Sequence, residues 1–122
     1  MRIFTEITSL LEADFLTGIQ RTVIEIASRL IRYYGENYFL VICRIPGQYQ
    51  RVNNADFLRH FVLNETAIPL TVSEDIITLD DMSGDTSVFL DLDAVWNGVK
   101  DVRQFLYPAL KKKKHTYFYL CI

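Results

Sequence analysis

The sequence predicts one α/β domain in which helices cover a mostly parallel sheet. Three observations support this prediction: apolar runs of strand length recur along the chain, helical patterns lie between them, and no linker or internal repeat interrupts the alternation. With 122 residues, 50% of them hydrophobic, the chain is long enough for one core and too short for two ordinary domains. We therefore treat residues 1–122 as a single domain.

The first half of the chain contains the clearest elements. Arg2 to Leu10 has the composition of a strand, and apolar residues then recur at helical spacing from Ile19 to Ile31. Gly35 is placed to end that helix. Tyr38 to Ile45 is a nearly continuous apolar run, typical of a strand buried on both faces, and Pro46-Gly47 predicts a turn after it.

The second half of the chain continues the alternation of strand and helix patterns. Residues 64–83 are not assigned as a whole, because Pro69 interrupts them and only a short strand pattern stands out. The predicted elements are a helix from Asn54 to Leu63 capped by Asn53 or Asn54, a short strand at Ile76 to Leu79, a strand from Ser87 to Leu92, a helix from Val99 to Leu110 kinked at Pro108, and a last strand from Thr116 to Ile122.

Charge and cysteine content exclude several classes of protein. The 13 basic and 15 acidic residues nearly balance, so no overall field attracts nucleic acid. Cys43 and Cys121 lie in apolar runs, where buried and reduced thiols are usual, and this fits a cytoplasmic protein. Glu6, Glu12 and Asp14 interrupt any signal-peptide pattern, and no apolar run approaches the roughly 20 residues of a membrane span. We expect a soluble protein without a metal site, because neither histidine has a companion ligand at useful spacing.

The start of the first long helix is the best candidate site. Thr17 and Gln20 have the spacing of a capping box, and Gly18 leaves the main-chain N–H groups of the first turn approachable. The partial positive charge of a helix start favours a phosphate or carboxylate there. Arg21 adds a forked hydrogen-bond donor beside it. The alternative is a helix start that binds nothing, since capping needs no ligand.

These residues also carry a resemblance to a known family. Glu6-Ile7-Thr8-Ser9-Leu10-Leu11, followed after a spacer by Thr17-Gly18-Ile19-Gln20-Arg21-Thr22-Val23, resembles the start of a bacterial group of family-four glycosyltransferases. Those proteins usually carry aspartate where this chain has Glu6 and valine where it has Thr22. Gly84-Asp85, the strand from Ser87 to Leu90, and then Asp93 and Trp96 are similar to the next block of that group. The resemblance spans nearly the whole chain, and its first block is the specific one.

The resemblance implies a fold and a reaction. The fold is GT-B, of which this chain would be the N-terminal half: a Rossmann-like three-layer domain on the acceptor side, whose partner is a C-terminal donor-binding domain. The reaction is transfer of a sugar from a nucleotide-sugar to a glycan or lipid-linked acceptor in polysaccharide biosynthesis, with no metal and no cofactor besides that donor substrate. The implied substrate-binding residues are Thr17, Gly18, Gln20, Arg21, Asp93 and Trp96, with no catalytic residue identified. We expect little activity from this half alone, because half of the cleft would be missing.

Two other segments suggest alternative functions. Asp91-Leu92-Asp93 at the end of a strand resembles the first motif of haloacid-dehalogenase-like phosphatases and the metal-binding Asp-X-Asp of GT-A glycosyltransferases. No later acidic motif completes such a site, so solvated and loop-capping carboxylates are the more economical interpretation. Lys111 to Lys114 form either a solvated helix end or a weak contact with the surface of the inner membrane.

A non-enzymatic interpretation also remains open. In it, the chain is a small α/β interaction or regulatory domain that has kept the fold and lost catalysis. The apolar last strand, without a second domain to cover it, would then favour a homodimer.

Overall fold

A computed structural model describes residues 1–12, 18–67, 69–82, 87–91 and 116–119, and these form an α/β fold around one sheet. The strands are β1 (Arg2–Glu6), β2 (Tyr38–Ile45), β3 (Gln48–Val52), β4 (Ile77–Thr78), β5 (Ser87–Asp91) and β6 (Thr116–Tyr119). The helical segments are α1 (Thr8–Glu12), α2 (Gly18–Tyr34), a 3₁₀ turn (Gly35–Asn37), α3 (Asn54–Phe57), a π-helical turn (Leu58–Val62) and α4 (Leu79–Met82). Across the sheet the described strands follow the order β4-β3-β2-β1-β5-β6.

The α/β class is confirmed, and the sheet is mixed. β1 pairs in parallel with β2 and β5, and β5 pairs in parallel with β6. β3 pairs antiparallel with both β2 and β4, and the sequence patterns did not predict β3. Its direction follows from the predicted turn at Pro46-Gly47, which is too short for a crossover and therefore returns the chain as a hairpin. Gly47 adopts a φ of +82°, a conformation that glycine adopts readily.

The first strand is shorter than predicted. It ends at Glu6, and Thr8 begins α1, so the expectation of a strand continuing to Leu10 was wrong. Ile7 and Leu10 are both buried in the same core cluster, and the N–H of Leu11 donates to the carbonyl of Ile7 at 3.2 Å. A helical turn buries this i, i+3 pair on one face, whereas an extended chain would direct the two side chains to opposite faces.

The first long helix agrees with its sequence pattern. α2 runs from Gly18 to Tyr34, and its inward face buries Val23, Ala27 and Ile31. Gly35 follows with a φ of +58°, the left-handed conformation that ends many helices. The exposed face carries Arg29, which pairs with Glu25 at 2.8 Å one turn earlier.

The remaining predictions are met in part. β2 has the predicted bounds, and β4 lies within the predicted short strand. Asn53 caps α3, which begins the helix predicted from Asn54 to Leu63. β5 ends one residue earlier than expected. After α3 the helix continues from Leu58 with π-helical geometry, and the N–H of Leu63 donates to the carbonyl of Leu58 at 3.0 Å. β6 covers the first four residues of the predicted last strand. The predicted helix from Val99 to Leu110 lies outside the described residues.

The core has two parts, one on each face of the sheet, because successive side chains of a strand point to opposite faces. The cluster on the face with α1 and α2 contains Ile3, Ile7, Leu10, Ile24, Ala27, Ile31, Tyr38, Leu40, Ile42, Val52 and Phe57. The cluster on the other face contains Phe4, Val41, Cys43, Tyr49, Met82 and Phe89. Glu6 follows Phe4 by two residues on β1 and therefore belongs to this second face.

Candidate functional site

The strand order defines a switch point in the parallel part of the sheet. From β1 the chain moves to its neighbour β2 on one side, and it later returns to place β5 on the other side. Ligands of open α/β sheets bind in the crevice outside the carboxyl ends of the strands at such a point. The candidate site is therefore the region beyond the carboxyl ends of β1 and β5, which we call the switch-point crevice.

An acidic residue ends each of the two strands at the switch point. Phe4 of β1 is paired with Phe89 of β5, and Glu6 and Asp91 each lie two residues further along their strands. The two strands therefore end at the same level, each with a carboxylate residue. Asp91 had been singled out from sequence, and the structure confirms that it ends a strand. Asp93 and Trp96, which were predicted to line the cleft, lie outside the described residues.

Glu6 is held by a short chain of hydrogen bonds. Its side chain is buried, with 5% of its surface exposed, and Oε1 accepts from the hydroxyl of Thr8 at 3.1 Å. The same hydroxyl oxygen accepts from the main-chain N–H of Cys43 at 2.9 Å. A buried carboxylate needs such donors, because removal from water disfavours its charge. The bond from Thr8 fixes the carboxylate at the end of β1, beside the crevice.

The thiol of Cys43 lies next to this carboxylate and is not poised for chemistry. Burial raises the pKa of Cys43 to about 11, and the negative charge of Glu6 adds to the effect. Sγ is 3.2 Å from the carbonyl oxygen of Ile45 and donates to it. The thiol is therefore protonated at neutral pH, and the thiolate needed for nucleophilic attack or metal ligation is rare. Cys43 is buried, as predicted, and Cys121 lies outside the described residues.

The predicted helix start is present, and its residues differ in accessibility. α2 begins at Gly18, which is exposed, and a Cβ at this position would meet nothing within 4 Å. Arg21 is also exposed, and its side chain makes no hydrogen bond or ion pair with the described residues. Gln20 is buried, with 7% of its surface exposed. Thr17 lies outside the described residues, so the predicted capping box stays a prediction.

The sequence analysis did not select Glu6 and Thr8 as site residues. A signal was present, because an acidic residue and a hydroxyl residue two positions apart follow an apolar strand and precede a helix. The strand was predicted to continue to Leu10, so the helical turn that begins at Thr8 was missed. Within the described ranges, no group of three or more histidine, cysteine, aspartate or glutamate side chains is arranged to hold a metal ion.

Comparisons with known proteins found no matching family model, curated protein or solved structure. None of the helices in the described part of the chain has the length and apolar character needed to cross a bilayer.

Proposed function

We propose that this chain is the N-terminal, acceptor-side domain of a GT-B glycosyltransferase of polysaccharide biosynthesis. The observation that carries the proposal is the combination of a switch-point crevice with the Thr-Gly-Ile-Gln-Arg segment, in which α2 begins at Gly18 and leaves Arg21 exposed. The proposal is supported by the parallel pairing of β2 with β1, β1 with β5 and β5 with β6, since Rossmann-like domains are built on parallel strands. The antiparallel strands β3 and β4 then extend that sheet at one edge.

In this proposal the reacting groups meet above the carboxyl ends of β1 and β5. Arg21 donates hydrogen bonds to the donor phosphates, and the main-chain N–H groups from Gly18 onward add partial positive charge. Gln20 lies in the first turn of α2, and Thr17, Asp93 and Trp96 are further candidates that rest on the sequence resemblance alone. Glu6 is buried and accepts from Thr8, so its role in this proposal is to hold the end of β1 rather than to bind sugar.

The proposed chemistry needs a second domain. The bond between the anomeric carbon and the diphosphate breaks, a bond to the acceptor oxygen forms, the acceptor hydroxyl gives its proton to a base of the complete protein, and the nucleoside diphosphate leaves with the negative charge. Arg21 and the helix start stabilise the charge that develops on the leaving phosphate. The partner domain holds the nucleotide, so the rate depends on both halves being in place. The acceptor is a glycan or a lipid-linked glycan.

The test is an activity assay with the complete native protein that contains this chain. It is incubated with a panel of nucleotide-sugars and lipid-linked acceptors, and acceptor-dependent release of nucleoside diphosphate is measured. Arg21→Ala should lower kcat/KM about 10- to 100-fold, because a hydrogen bond to a charged group contributes about 1.5–3 kcal/mol. Arg32→Ala is the matched control, since Arg32 is exposed in the last turn of the same helix.

Each outcome has a distinct meaning. No transfer with any donor and acceptor would contradict the glycosyltransferase proposal and favour a non-catalytic α/β interaction domain. Transfer that Arg21→Ala and Arg32→Ala leave equally unaffected would remove Arg21 from the site and keep the function. Transfer that only Arg21→Ala reduces would support both.

A further inference from the structure

A pocket of about 250 Å³ opens at the end of the sheet opposite the switch-point crevice. It lies where the chain leaves the 3₁₀ turn before β2 and where β3 passes into α3, so it adjoins the beginnings of the parallel strands. The switch-point crevice adjoins their ends. Six polar residues line the pocket: Glu36, Arg51, Asn53, Asn54, Thr71 and Ser73. We call it the amino-edge pocket.

One wall is held rigid by Arg51 and Asn54. Nη2 of Arg51 donates to the carbonyls of Glu36 at 3.3 Å and Tyr38 at 3.2 Å, and its guanidinium lies 4.0 Å from the centre of the Phe39 ring. Nδ2 of Asn54 donates to the carbonyl of Tyr38 at 3.0 Å. These contacts fix both side chains before any ligand arrives, which lowers the entropy lost on binding.

The opposite wall is held by main-chain bonds. The N–H of Asn53 donates to the carbonyl of Thr71 at 2.9 Å, and the N–H of Ser73 donates to the carbonyl of Arg51 at 2.8 Å. Residues 71–73 therefore run alongside the end of β3, with a bridge between Val52 and Val72. Oδ1 of Asn53 accepts from the N–H of Asp56 at 3.0 Å, which also fixes the orientation of its amide.

Several hydrogen-bonding groups of these walls are unused. Nε and Nη1 of Arg51, Nδ2 of Asn53 and the hydroxyl of Thr71 make no hydrogen bond with any residue that the structure describes. Oδ1 of Asn54 also lacks a partner among the same residues, but it is enclosed by protein and is not offered to a ligand. The carboxylate of Glu36 is 97% exposed and adds acceptor oxygens at the pocket mouth. The pocket thus offers both donors and acceptors.

The charged residues that line the pocket are Arg51 and Glu36, whose Nη2 and Oε2 are 3.8 Å apart. A second carboxylate, that of Asp56, accepts from the N–H of Thr71 at 3.1 Å. Two carboxylates against one guanidinium disfavour a further negative charge here. A neutral ligand with several hydroxyl groups avoids this repulsion, and each of its hydroxyls can both donate and accept. The small volume and the evenly mixed polar and apolar lining also differ from the larger, mostly apolar pockets that hold drug-sized ligands.

We propose that the amino-edge pocket binds a single neutral sugar ring. The sugar hydroxyls accept hydrogen bonds from Arg51 and Asn53 and donate one to Glu36. The hydroxyl of Thr71 either donates to a sugar oxygen or accepts from a sugar hydroxyl. This site is separate from the switch-point crevice, and its existence does not depend on the transferase proposal.

The test is a titration of the ¹⁵N-labelled chain with neutral monosaccharides, followed by amide NMR. The panel contains glucose, galactose, mannose and N-acetylglucosamine, each raised to ~10 mM so that millimolar affinity is detected. At least one sugar should shift the amides of Ala55, Thr71 and Ser73. Sodium phosphate and sodium acetate at constant ionic strength serve as anionic probes.

Two variants test whether the sugar binds in the amino-edge pocket. Asn53→Asp keeps the helix cap but exchanges the amide donor for a carboxylate, and it should weaken sugar binding about tenfold. Gln48→Glu makes the same chemical change at the far end of β3, where the side chain is exposed, and should leave the affinity unchanged. The amide spectra of both variants, compared with that of the parent, report whether they fold.

Three results would overturn the proposal. The first is no amide shift with any sugar of the panel. The second is phosphate or acetate shifting the pocket amides while sugars do not, which would make this an anion site. The third is sugar binding that Asn53→Asp and Gln48→Glu affect equally, which would place the sugar elsewhere.

Discussion

Among single residues, Thr8 connects three parts of the fold through one hydroxyl group. It lies in the first turn of α1, donates to Glu6 at the end of β1, and accepts from the N–H of Cys43 on β2. All three residues are buried, so water does not readily replace a lost bond. No local pattern predicts this arrangement, because Thr8 and Cys43 are 35 residues apart in sequence. In contrast, the start of α2 at Gly18 was predictable from sequence, because capping residues and apolar spacing are local features.

Thr8→Val tests the contribution of this hydroxyl to stability. Valine has nearly the same shape, but the N–H of Cys43 and Oε1 of Glu6 each lose this partner. We expect the free energy of unfolding to fall by about 2–4 kcal/mol, since an unsatisfied buried group costs about 1–3 kcal/mol and a charged one more. Denaturant unfolding followed by circular dichroism measures the change.

Thr66→Val is the control for this measurement. Thr66 is exposed in a turn, so the same substitution there should change stability by no more than about 0.5 kcal/mol. Equal unfolding midpoints for Thr8→Val and the parent would show that the bonds from Thr8 add nothing to stability.

At the scale of elements, one strand of the β2–β3 hairpin was predicted from its apolar residues and the other was not. The apolar run predicted β2 with its exact bounds, whereas β3 has the sequence Gln-Tyr-Gln-Arg-Val, which has too few apolar residues to stand out. Its side chains find partners on the neighbouring strand: Arg51 lies over the ring of Phe39, and Tyr49 is paired with Cys43. Strand formation here depends on cross-strand contacts, which a local pattern does not report.

The cap of α3 at Asn53 can be tested by substitution. Oδ1 of Asn53 accepts from the N–H of Asp56, which would otherwise lack a partner at the helix start. Asn53→Ala should therefore lower the free energy of unfolding by about 1 kcal/mol, and Asn53→Asp should change it little, because aspartate caps equally well. Thermal unfolding compares the two variants with the parent. Equal losses for both would mean that the amide group, rather than the cap, stabilises this segment.

In the whole molecule, the position of the site follows from the order of the strands. β1 is central and its two neighbours are parallel to it, so the loops after β1 and β5 leave the same edge of the sheet. The hairpin of β2 and β3 reverses the chain, which brings the end of β3 to the opposite edge and forms the amino-edge pocket. Two separate polar sites therefore result from one sheet that contains both strand directions.

Stability of the whole molecule should fall at alkaline pH. Burial raises the pKa of Cys43 to about 11, and burial likewise raises the pKa of Tyr38 well above its usual value, against a smaller opposing effect of its bond to Thr5. In the unfolded chain these groups ionise near pH 9 and 10. Above about pH 9 the unfolded state thus loses protons that the folded state keeps, and the free energy of unfolding falls by at most about 1.4 kcal/mol per pH unit for each group.

Urea unfolding at a series of pH values between neutral and about 10.5 measures this dependence. Tyr38→Phe removes one of the two groups, so its stability should fall less steeply with pH than that of the parent. Identical slopes for the two proteins would contradict a contribution from Tyr38, and a flat profile for the parent would contradict both.

The sequence by itself determined the α/β class, the bounds of α2 and β2, the turn at Pro46-Gly47 and a helix cap at Asn53 or Asn54, because apolar spacing, turn residues and caps act over a few neighbouring residues. The tertiary structure decided where β1 ends, in which direction β3 runs, and which residues meet at the switch point and in the amino-edge pocket. These features depend on contacts between residues far apart in the chain, such as Tyr38 with Thr5 and Cys43 with Thr8. The free energy of such contacts is gained only when the strands pair, so no segment taken alone contains it.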